Sequence, residues 1–244
     1  MTRDTSLTSE FDEYAEDYDH ALARGLSITG EAKDYFARER LRWLKDCLAR
    51  LQETPRNVLN YGCGNGSSAM LISEIVGAEC VTGLDASVKL IAEAQRHYGS
   101  EHHTFLLMDQ YRPAEQVDLV YCNGVFHHIP AQQRLAAVED IYRSLRPGGY
   151  FALWENNPWN PGTRYVMSRI PFDRDAVTLT PPETRRLLCA GGFEVVRTDF
   201  LFIFPKALNW LRWIEPTLSR FPLGAQYQIL GRKPNTACLT DCCR

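Results

Sequence analysis

The runs Val58-Leu-Asn-Tyr-Gly-Cys-Gly-Asn-Gly66 and Glu79-Cys-Val-Thr-Gly-Leu-Asp85 decide the fold of this chain. Each run is short and apolar. The first ends in three closely spaced glycines and the second in a carboxylate, with helix-forming residues between them. This order predicts a strand, a tight turn, a helix and a second strand. Because glycines let the backbone approach a ligand closely and an acid after the second strand can accept both hydroxyls of a ribose, the pattern predicts a nucleoside-binding unit.

The spacing of the glycines argues against a dinucleotide. Gly62 and Gly64 are followed by Ser67 at the position where a dinucleotide-binding turn carries its third glycine. The turn, together with Asp85, which lies 19 residues after Gly66, resembles the first two motifs of class I S-adenosylmethionine (SAM)-dependent methyltransferases. In that family the turn passes the methionyl part of SAM and the acid binds its ribose. The resemblance therefore implies S-adenosyl-L-methionine as the cofactor.

Length and composition limit the classes of protein that remain. The 244 residues suffice for one large α/β domain, and the 45% hydrophobic and 23% charged residues fit a globular chain. With 27 basic and 30 acidic residues, no electrostatic footprint for nucleic acid is expected. There is neither an apolar run as long as a membrane span nor an apolar N-terminal signal, so a cytoplasmic chain without a membrane partner is expected. Cys238, Cys242 and Cys243 lack a fourth ligand, so no metal is expected.

Strand-like and helical segments alternate along the chain, which predicts an α/β fold with a mostly parallel sheet. The resemblance implies a seven-stranded Rossmann-like methyltransferase sheet with its last strand antiparallel and helices on both faces. It also implies a small cap formed by the N-terminus and an insertion after strand five. The predicted strands are Asn57–Tyr61, Cys80–Asp85, Thr104–Met108, Asp118–Asn123, Tyr150–Glu155, Phe193–Ile203 and Ala225–Arg232, with Arg146-Pro-Gly-Gly149 as the turn before the fifth.

Three parts of the chain are expected: N-terminal lid helices (1–52), a SAM-binding methyltransferase domain (53–234) and a loose C-terminal tail (235–244). Two insertions, at about 156–180 and 204–223, interrupt the domain. Much of the apolar surface of the second insertion falls on one helical face. Packing on the domain or on a twin subunit is favoured over a membrane surface, which would want a polar face rich in Lys and Arg. A homodimer is therefore left open.

The run Phe11-Asp-Glu-Tyr-Ala-Glu-Asp-Tyr-Asp19 resembles the opening of many enzymes of this family. There it forms a lid helix over SAM and excludes water. Tyr14 and Tyr18 are four residues apart and would share one helical face. The resemblance implies that both tyrosines contact the cofactor and that Tyr18 also belongs to the catalytic group. The alternative is an acidic amphipathic helix packed on the domain.

Ligands of open α/β sheets sit beyond the carboxyl ends of the strands, so the residues that close each strand are the candidates for binding. For Asp85 the alternative is a helix N-cap, and for Asp109 a turn residue. By resemblance, Asp109 would bind the adenine amino group and Met108 would lie against the ring. The expected cofactor contacts are Tyr14, Tyr18, Tyr61, Gly62, Cys63, Gly64, Gly66, Asp85, Ala86, Ser87, Met108, Asp109, Gln110, Asn123, Gly124, Val125 and His128.

His127 and His128 follow the fourth strand and are candidates for a general base, since an imidazole titrates near the working pH. Being adjacent, they are not expected to point the same way. The alternative, that both only shape the turn, is left equally open.

The insertion after strand five begins where an acceptor would meet the methyl group. Its polar and aromatic side chains predict substrate contacts at Glu155, Asn156, Asn157, Trp159, Arg164 and Tyr165, with Glu155 also a catalytic candidate.

The sequence thus predicts a SAM-dependent methyltransferase that methylates an oxygen or nitrogen of a small molecule, in specialised metabolism. Two alternatives remain. One is another use of SAM, namely aminocarboxypropyl transfer or cyclisation with release of methylthioadenosine. The other is a binding module without catalysis, or a nicotinamide oxidoreductase, against which the glycine spacing argues.

Overall fold

The computed structural model describes residues 25–174 and 176–235. Within these ranges the chain forms two compact units, one of residues 25–112 with 167–174 and the other of residues 113–166 with 176–235. The predicted lid tyrosines Tyr14 and Tyr18 and nearly all of the C-terminal tail lie outside the described residues. None of the described helices is long and apolar enough to cross a bilayer.

The first unit contains three parallel strands. Strand β2 pairs with β1 on one side and β3 on the other, with Val58 opposite Val81 and Asp85 opposite Leu107. Val58, Leu59, Val81 and Leu84 are buried, as expected for central strands with apolar sequences. The elements are a 3₁₀ turn (Ser27–Thr29), α1 (Lys33–Arg50), β1 (Asn57–Tyr61), α2 (Ser67–Leu71) with a π-helical continuation (Ile72–Val76), β2 (Cys80–Asp85), α3 (Val88–Tyr98) and β3 (His103–Leu107).

The second unit contains four strands. Strands β4 and β5 are parallel, whereas β7 runs antiparallel between β5 and β6. The elements are β4 (Val117–Asn123), a 3₁₀ turn (Ala131–Gln133), α4 (Arg134–Ser144), β5 (Leu145–Asn156), α5 (Pro161–Met167), α6 (Pro181–Ala190), β6 (Glu194–Leu201), a 3₁₀ helix (Lys206–Ile214), α7 (Glu215–Leu218) and β7 (Gln226–Arg232).

The strands form a seven-stranded sheet in the order β3-β2-β1-β4-β5-β7-β6. The predicted fold class, with an antiparallel last strand, is confirmed. One predicted turn has a different form. Leu145 pairs with Val117 and Tyr150 pairs with Leu119, so residues 146–149 form an irregularity within β5. Gly148, with φ of 78°, provides the positive dihedral that this irregularity requires.

The second insertion, whose apolar side chains were predicted to fall largely on one helical face, does not form one regular α-helix. Leu208 has non-helical dihedrals, and the segment is a 3₁₀ helix followed by one short α-helix. Trp210 and Trp213 are 67% and 78% exposed. Among the described residues, nothing packs on these two side chains enough to bury them, whereas Leu211, Ile214 and Leu218 of the same segment are half-buried. Packing of this face on the domain or on a twin subunit stays a prediction.

At Gly66, in the first turn, the surrounding core leaves no room for a side chain. Its φ is 81°, and an added Cβ would lie 2.7 Å from Ala94 Cβ and 2.9 Å from the Phe105 ring. Gly66→Ala should therefore lower the free energy of unfolding by about 2–4 kcal/mol, from left-handed strain and overpacking together. Urea denaturation measures this loss.

Gly77→Ala is the matched control. Gly77 also has a positive φ, of 88°, but in the part of the chain that the structure describes no heavy atom beyond the neighbouring backbone lies within 4 Å of the position that an added Cβ would take. Only the backbone strain of about 1–2 kcal/mol should therefore appear. Equal losses in the two variants would show that packing against Ala94 and Phe105 does not require a glycine at position 66.

Candidate active site

The glycine turn after β1 is folded back onto the end of β2. The backbone N–H groups of Gly62 and Cys63 both donate to Leu84 O, at 2.8 Å each. Gly62 and Gly64 have φ of 74° and 56°. Among residues 25–174 and 176–235, no heavy atom beyond the chain neighbours lies within 4 Å of the position that a Cβ of Gly64 would take. The turn therefore leaves open space beside Gly64, as a backbone that a ligand approaches closely requires.

The carboxylate of Asp85 is fixed by this turn. Its Oδ2 accepts from Gly64 N at 2.9 Å and its Oδ1 accepts from Ser87 N at 3.0 Å. The side chain is half-buried. A carboxylate offers about four lone-pair sites, so an oxygen that accepts a backbone N–H group can also accept from a hydroxyl. This arrangement fits a carboxylate that accepts hydrogen bonds from the hydroxyls of a ribose.

Ser87, not Asp85, caps the helix that follows β2. Leu90 N donates to Ser87 Oγ at 3.2 Å, at the N-terminus of α3. Asp85 instead binds the backbone of Ser87 and of the glycine turn. The alternative interpretation of Asp85 as the N-cap is therefore wrong. Ser87 is fully buried and its side chain is used by the cap, so neither its side chain nor its backbone is exposed for the predicted cofactor contact.

The other residues of the first unit that were predicted to contact the cofactor differ in how far they are exposed. Cys63 is buried, and burial raises the pKa of its thiol well above the usual range, so this cysteine remains protonated. Gly66 meets the core of its own unit. The half-buried side chains are Tyr61, Ala86 and Met108, and the exposed ones are Asp109 and Gln110.

In the second unit, two residues at the start of the turn after β4 have unusual features: Asn123 in its hydrogen bonding and Gly124 in its backbone dihedral. Asn123 Oδ1 is buried and accepts no hydrogen bond within the part of the chain that the structure describes. Gly124 has φ of 67°, and its N–H donates to Trp154 O at 2.9 Å. A buried amide oxygen without a donor is costly, so this position favours a ligand that brings one.

Glu155 shapes the remainder of that turn. Its Oε1 accepts from Val125 N at 3.2 Å and Phe126 N at 2.8 Å, and its Oε2 lies 2.6 Å from His127 Nδ1. The residue is only 1% exposed. The carboxylate is thus engaged by groups of its own chain. Glu155 was predicted to contact the substrate and to act as a catalytic group. Both predictions require direct contact with the substrate and are therefore wrong, because almost none of the side chain is exposed.

The two histidines lie side by side. Their ring centroids are 4.1 Å apart with an interplanar angle of 49°. The expectation that adjacent histidines would point apart is wrong, because the turn brings the rings together. His127 is 3% exposed and faces Glu155, whereas His128 is half-buried. Of the pair, His128 alone has substantial surface through which it could reach an acceptor.

Arg134, which the sequence did not mark, holds the same turn from its far side. Its Nε donates to Ile129 O at 2.9 Å and its Nη2 to Val177 O at 2.8 Å, while Val177 N donates to His127 O at 3.2 Å. Burial lowers the pKa of the guanidinium, against the opposing effect of the carboxylate of Glu155. An arginine at the start of an amphipathic helix gives no sequence signal for this role, because its acceptors come from separate loops.

Asn157 has a structural role. It is fully buried, and its Nδ2 donates to Gly224 O at 2.8 Å and Pro222 O at 3.2 Å, while its Oδ1 accepts from Trp159 N at 3.1 Å. Its predicted contact with a substrate is wrong, since the amide has no exposed surface. Asn156 Oδ1 accepts from Gln226 Nε2 at 3.1 Å. Three side chains of the insertion are exposed and remain candidates for contact with the methyl acceptor, namely Trp159, Arg164 and Tyr165.

Residues 58–149 match the model of a family described as a methyltransferase domain. A trans-aconitate 2-methyltransferase from Methylobacterium nodulans is 30% identical over 217 residues, which cover 81% of this chain and 83% of that protein. Against the first curated relatives, which carry the same name, the chain spans only about half of the relative's length, at 46–53%.

Two solved structures share the fold. The complex between the Haloferax volcanii Trm112 methyltransferase activator and a methyltransferase aligns with a TM-score of 0.64 and 21% identity, covering 96% of this chain and 100% of that one. Magnesium protoporphyrin IX methyltransferase from Synechocystis with bound S-adenosylhomocysteine (SAH) aligns with a TM-score of 0.62 and 18% identity, covering 93% of this chain and 97% of that one.

Glu155→Gln tests how the turn after β4 is held. Glutamine keeps an oxygen for the backbone N–H groups but presents an amide donor to His127. We expect the free energy of unfolding to fall by about 1–3 kcal/mol, as for loss of a charge-assisted bond. We also expect His127 to change tautomer, from a proton on Nδ1 to a proton on Nε2. Urea denaturation and ¹⁵N chemical shifts of the ring measure the two effects.

Glu183→Gln is the control, because Glu183 is exposed and glutamine can replace glutamate in its capping box with Thr180. Its loss should stay near 0.5 kcal/mol, about the value of one surface charge at a helix N-terminus. If His127 kept its proton on Nδ1 in the Glu155 variant, the assigned hydrogen bond would be incorrect.

Proposed function

The chain belongs to the class I SAM-dependent methyltransferases, and on that premise we propose that it transfers the methyl group of SAM to an oxygen or nitrogen of a small molecule in specialised metabolism. The observation that carries the proposal is the geometry around Asp85. Its two carboxylate oxygens are fixed by Gly64 N and Ser87 N, beside a glycine whose missing Cβ leaves open space.

SAM is the cofactor of this family, and the residues present fit it. When bound, it supplies a sulfonium whose methyl group is already activated for transfer. Asp85 would accept the ribose hydroxyls, and Gly62 and Gly64 would admit the methionyl part close to the backbone. Met108 and Asp109 are the proposed contacts for the adenine. Because the methyl group is activated in advance, the protein mainly has to orient the acceptor and exclude water.

In the second unit, we propose that Glu155 and His127 position the turn and that His128 takes up a proton from the acceptor. The Glu155 carboxylate can only accept hydrogen bonds, so His127 Nδ1 is the donor in their contact. That fixes the tautomer and orientation of the first ring, against which the His128 ring lies. A base is needed only if the acceptor must lose a proton during transfer.

The acceptor is proposed to be a small molecule with an anionic group. Trp159 and Tyr165 offer flat apolar surfaces and Arg164 can bind a carboxylate, and all three side chains are exposed. The relatives named for trans-aconitate methylation make a small polycarboxylate the first acceptor to try. At 30% identity the acceptor of a relative is a starting point for this chain.

Product analysis tests the reaction type. The protein is incubated with SAM and a panel of small carboxylic acids, phenols and amines that includes trans-aconitate, and the sulfur product is identified by mass spectrometry. Acceptor-dependent formation of SAH together with a methylated product supports the proposal. Methylthioadenosine as the product would indicate transfer or cyclisation of the aminocarboxypropyl arm, and SAM binding without turnover of any acceptor would favour a binding module.

Asp85→Ala should weaken binding of SAM by about 1.5–3 kcal/mol, the value of hydrogen bonds to a charged group. Titration calorimetry with SAM and SAH measures the change, and NAD should bind far more weakly to the unaltered protein. Asp46→Ala, at an exposed position of α1, is the matched control and should leave SAM affinity unchanged. An unchanged affinity in the Asp85 variant would mean that this carboxylate serves only the turn.

His128→Ala should lower kcat about a hundredfold and remove the acidic limb of the pH–rate profile, because the proton acceptor is lost. His127→Ala is the comparison and should keep that limb. SAM affinity is measured for both variants. If both keep the limb and instead bind SAM more weakly, the two histidines only shape the turn after β4.

A further inference from the structure

The segment of residues 204–223, here called the aromatic segment, exposes a concentration of large apolar side chains. Trp210 and Trp213 are the most exposed, and three further apolar residues of the segment are exposed as well. Single exposed apolar side chains are ordinary, but five of them within one short segment favour a surface that contacts something else. The three further residues are Leu208, Phe221 and Leu223.

The 3₁₀ geometry gives this surface two rows. A 3₁₀ helix has three residues per turn, so side chains three apart project in the same direction. Trp210 and Trp213 therefore form one row after the break at Leu208. Asn209 and Arg212 form the row beside it. The aromatic row thus lies next to a polar row that carries a cation.

The exposure does not come from a loosely held chain. Phe204 N donates to Glu215 Oε1 at 2.9 Å, and Arg212 Nε donates to Phe204 O at 3.1 Å, which closes the segment on itself. Phe200 N donates to Ser219 O at 2.7 Å and ties the segment to β6. At its end, Asn160 Nδ2 donates to Leu223 O at 2.7 Å. The tryptophans are presented by an ordered scaffold.

The charge of the aromatic segment is positive, although the whole chain has a net charge of −3. Its cations are Lys206, Arg212 and Arg220, and its only carboxylate is Glu215. Lys206 and Arg220 are exposed, and Glu215 is half-buried and bonded to the backbone of Phe204. Arg220 lies 3.7 Å from the buried carboxylate of Asp199, which Arg197 binds as well, so the group of two arginines and one carboxylate keeps a net positive charge. The exposed charge of the aromatic segment is therefore cationic.

We propose that the aromatic segment docks on the surface of an anionic lipid bilayer, with Trp210 and Trp213 entering the headgroup region and the neighbouring cations facing lipid phosphates. Tryptophan is suited to that boundary because it combines a large apolar ring with a polar N–H group. Cations add attraction to anionic headgroups, and apolar side chains that enter the interface add burial. The sequence alone led us to expect no membrane partner; the exposure and charge of this segment favour one.

A second copy of this chain fits the same surface less well. A two-fold interface would place the segment against its own copy and would bring the cations of both subunits together. Such like-charge contacts oppose association. The anionic surface has the complementary charge.

Sedimentation of the full chain with vesicles tests the docking. Vesicles of phosphatidylcholine alone are compared with vesicles that also contain phosphatidylglycerol, at low and high salt. We expect binding to the anionic vesicles that weakens with salt, and a shift of tryptophan fluorescence to shorter wavelength on binding. The double variant Trp210→Ala, Trp213→Ala should bind at least about tenfold more weakly, equivalent to about 1.4 kcal/mol.

The double variant Leu135→Ala, Val196→Ala is the control, since it removes two exposed apolar side chains elsewhere in the same unit and should bind like the unaltered protein. Lys206→Glu, at an exposed position, is a second variant in case the tryptophan variant does not fold. It should weaken binding to the anionic vesicles and leave any binding to the neutral vesicles unchanged. Circular dichroism and SAM binding establish that each variant is folded.

Four results would overturn the proposal. The first is the absence of vesicle binding by the unaltered protein, and the second is equal binding by the tryptophan variant once its fold is established. The third is a dimer in analytical ultracentrifugation that the tryptophan variant dissociates, which would assign the aromatic segment to an interface between two copies. Binding that is equal on neutral and anionic vesicles would likewise refute the assigned role of the cations.

Discussion

A carboxylate that is removed from water must be given hydrogen-bond donors, and the turn after β4 is organised around that constraint. Glu155 ends up almost wholly buried because it lies on β5 among apolar residues, and its oxygens are met by two backbone N–H groups and one imidazole. The turn therefore has to curl back over the end of β5. Arg134 fixes the other side of the same turn through two backbone carbonyls. Histidines placed on such a turn are held in one arrangement.

Asp85 and Glu155 are both acids at the ends of strands, yet they differ in burial and in the hydrogen bonds that they accept. Glu155 is buried and receives three donors from its own chain. Asp85 is half-buried, and each of its oxygens is shown with one backbone donor, from Gly64 or Ser87. A carboxylate oxygen can accept more than one hydrogen bond, so Asp85 is the better acceptor for ligand hydroxyls. Glu155 is almost fully buried and instead holds the turn that carries the two histidines.

The two insertions show how polar groups can order a segment whose apolar side chains remain exposed. Asn157 and Asn160 donate to the carbonyls of Gly224 and Leu223, and Thr163 donates to Ala225 O. These bonds fix the chain that leads into β7. The tryptophans of the preceding 3₁₀ helix are therefore held in place without being buried. Order here comes from hydrogen bonds to the backbone, which leaves an apolar surface available to a partner.

The sequence by itself determined the elements and their order, because those depend on local patterns. The alternation of apolar runs, the glycines after β1 and the acid after β2 predicted the parallel unit and placed β1 and β2 at their observed bounds. What only the tertiary structure decided are the roles that depend on partners far along the chain. Asn157 became structural through carbonyls more than sixty residues away, and Glu155 became a positioning group through N–H groups about thirty residues away. Burial and hydrogen bonding are set by what the fold brings near, and no local pattern contains that information.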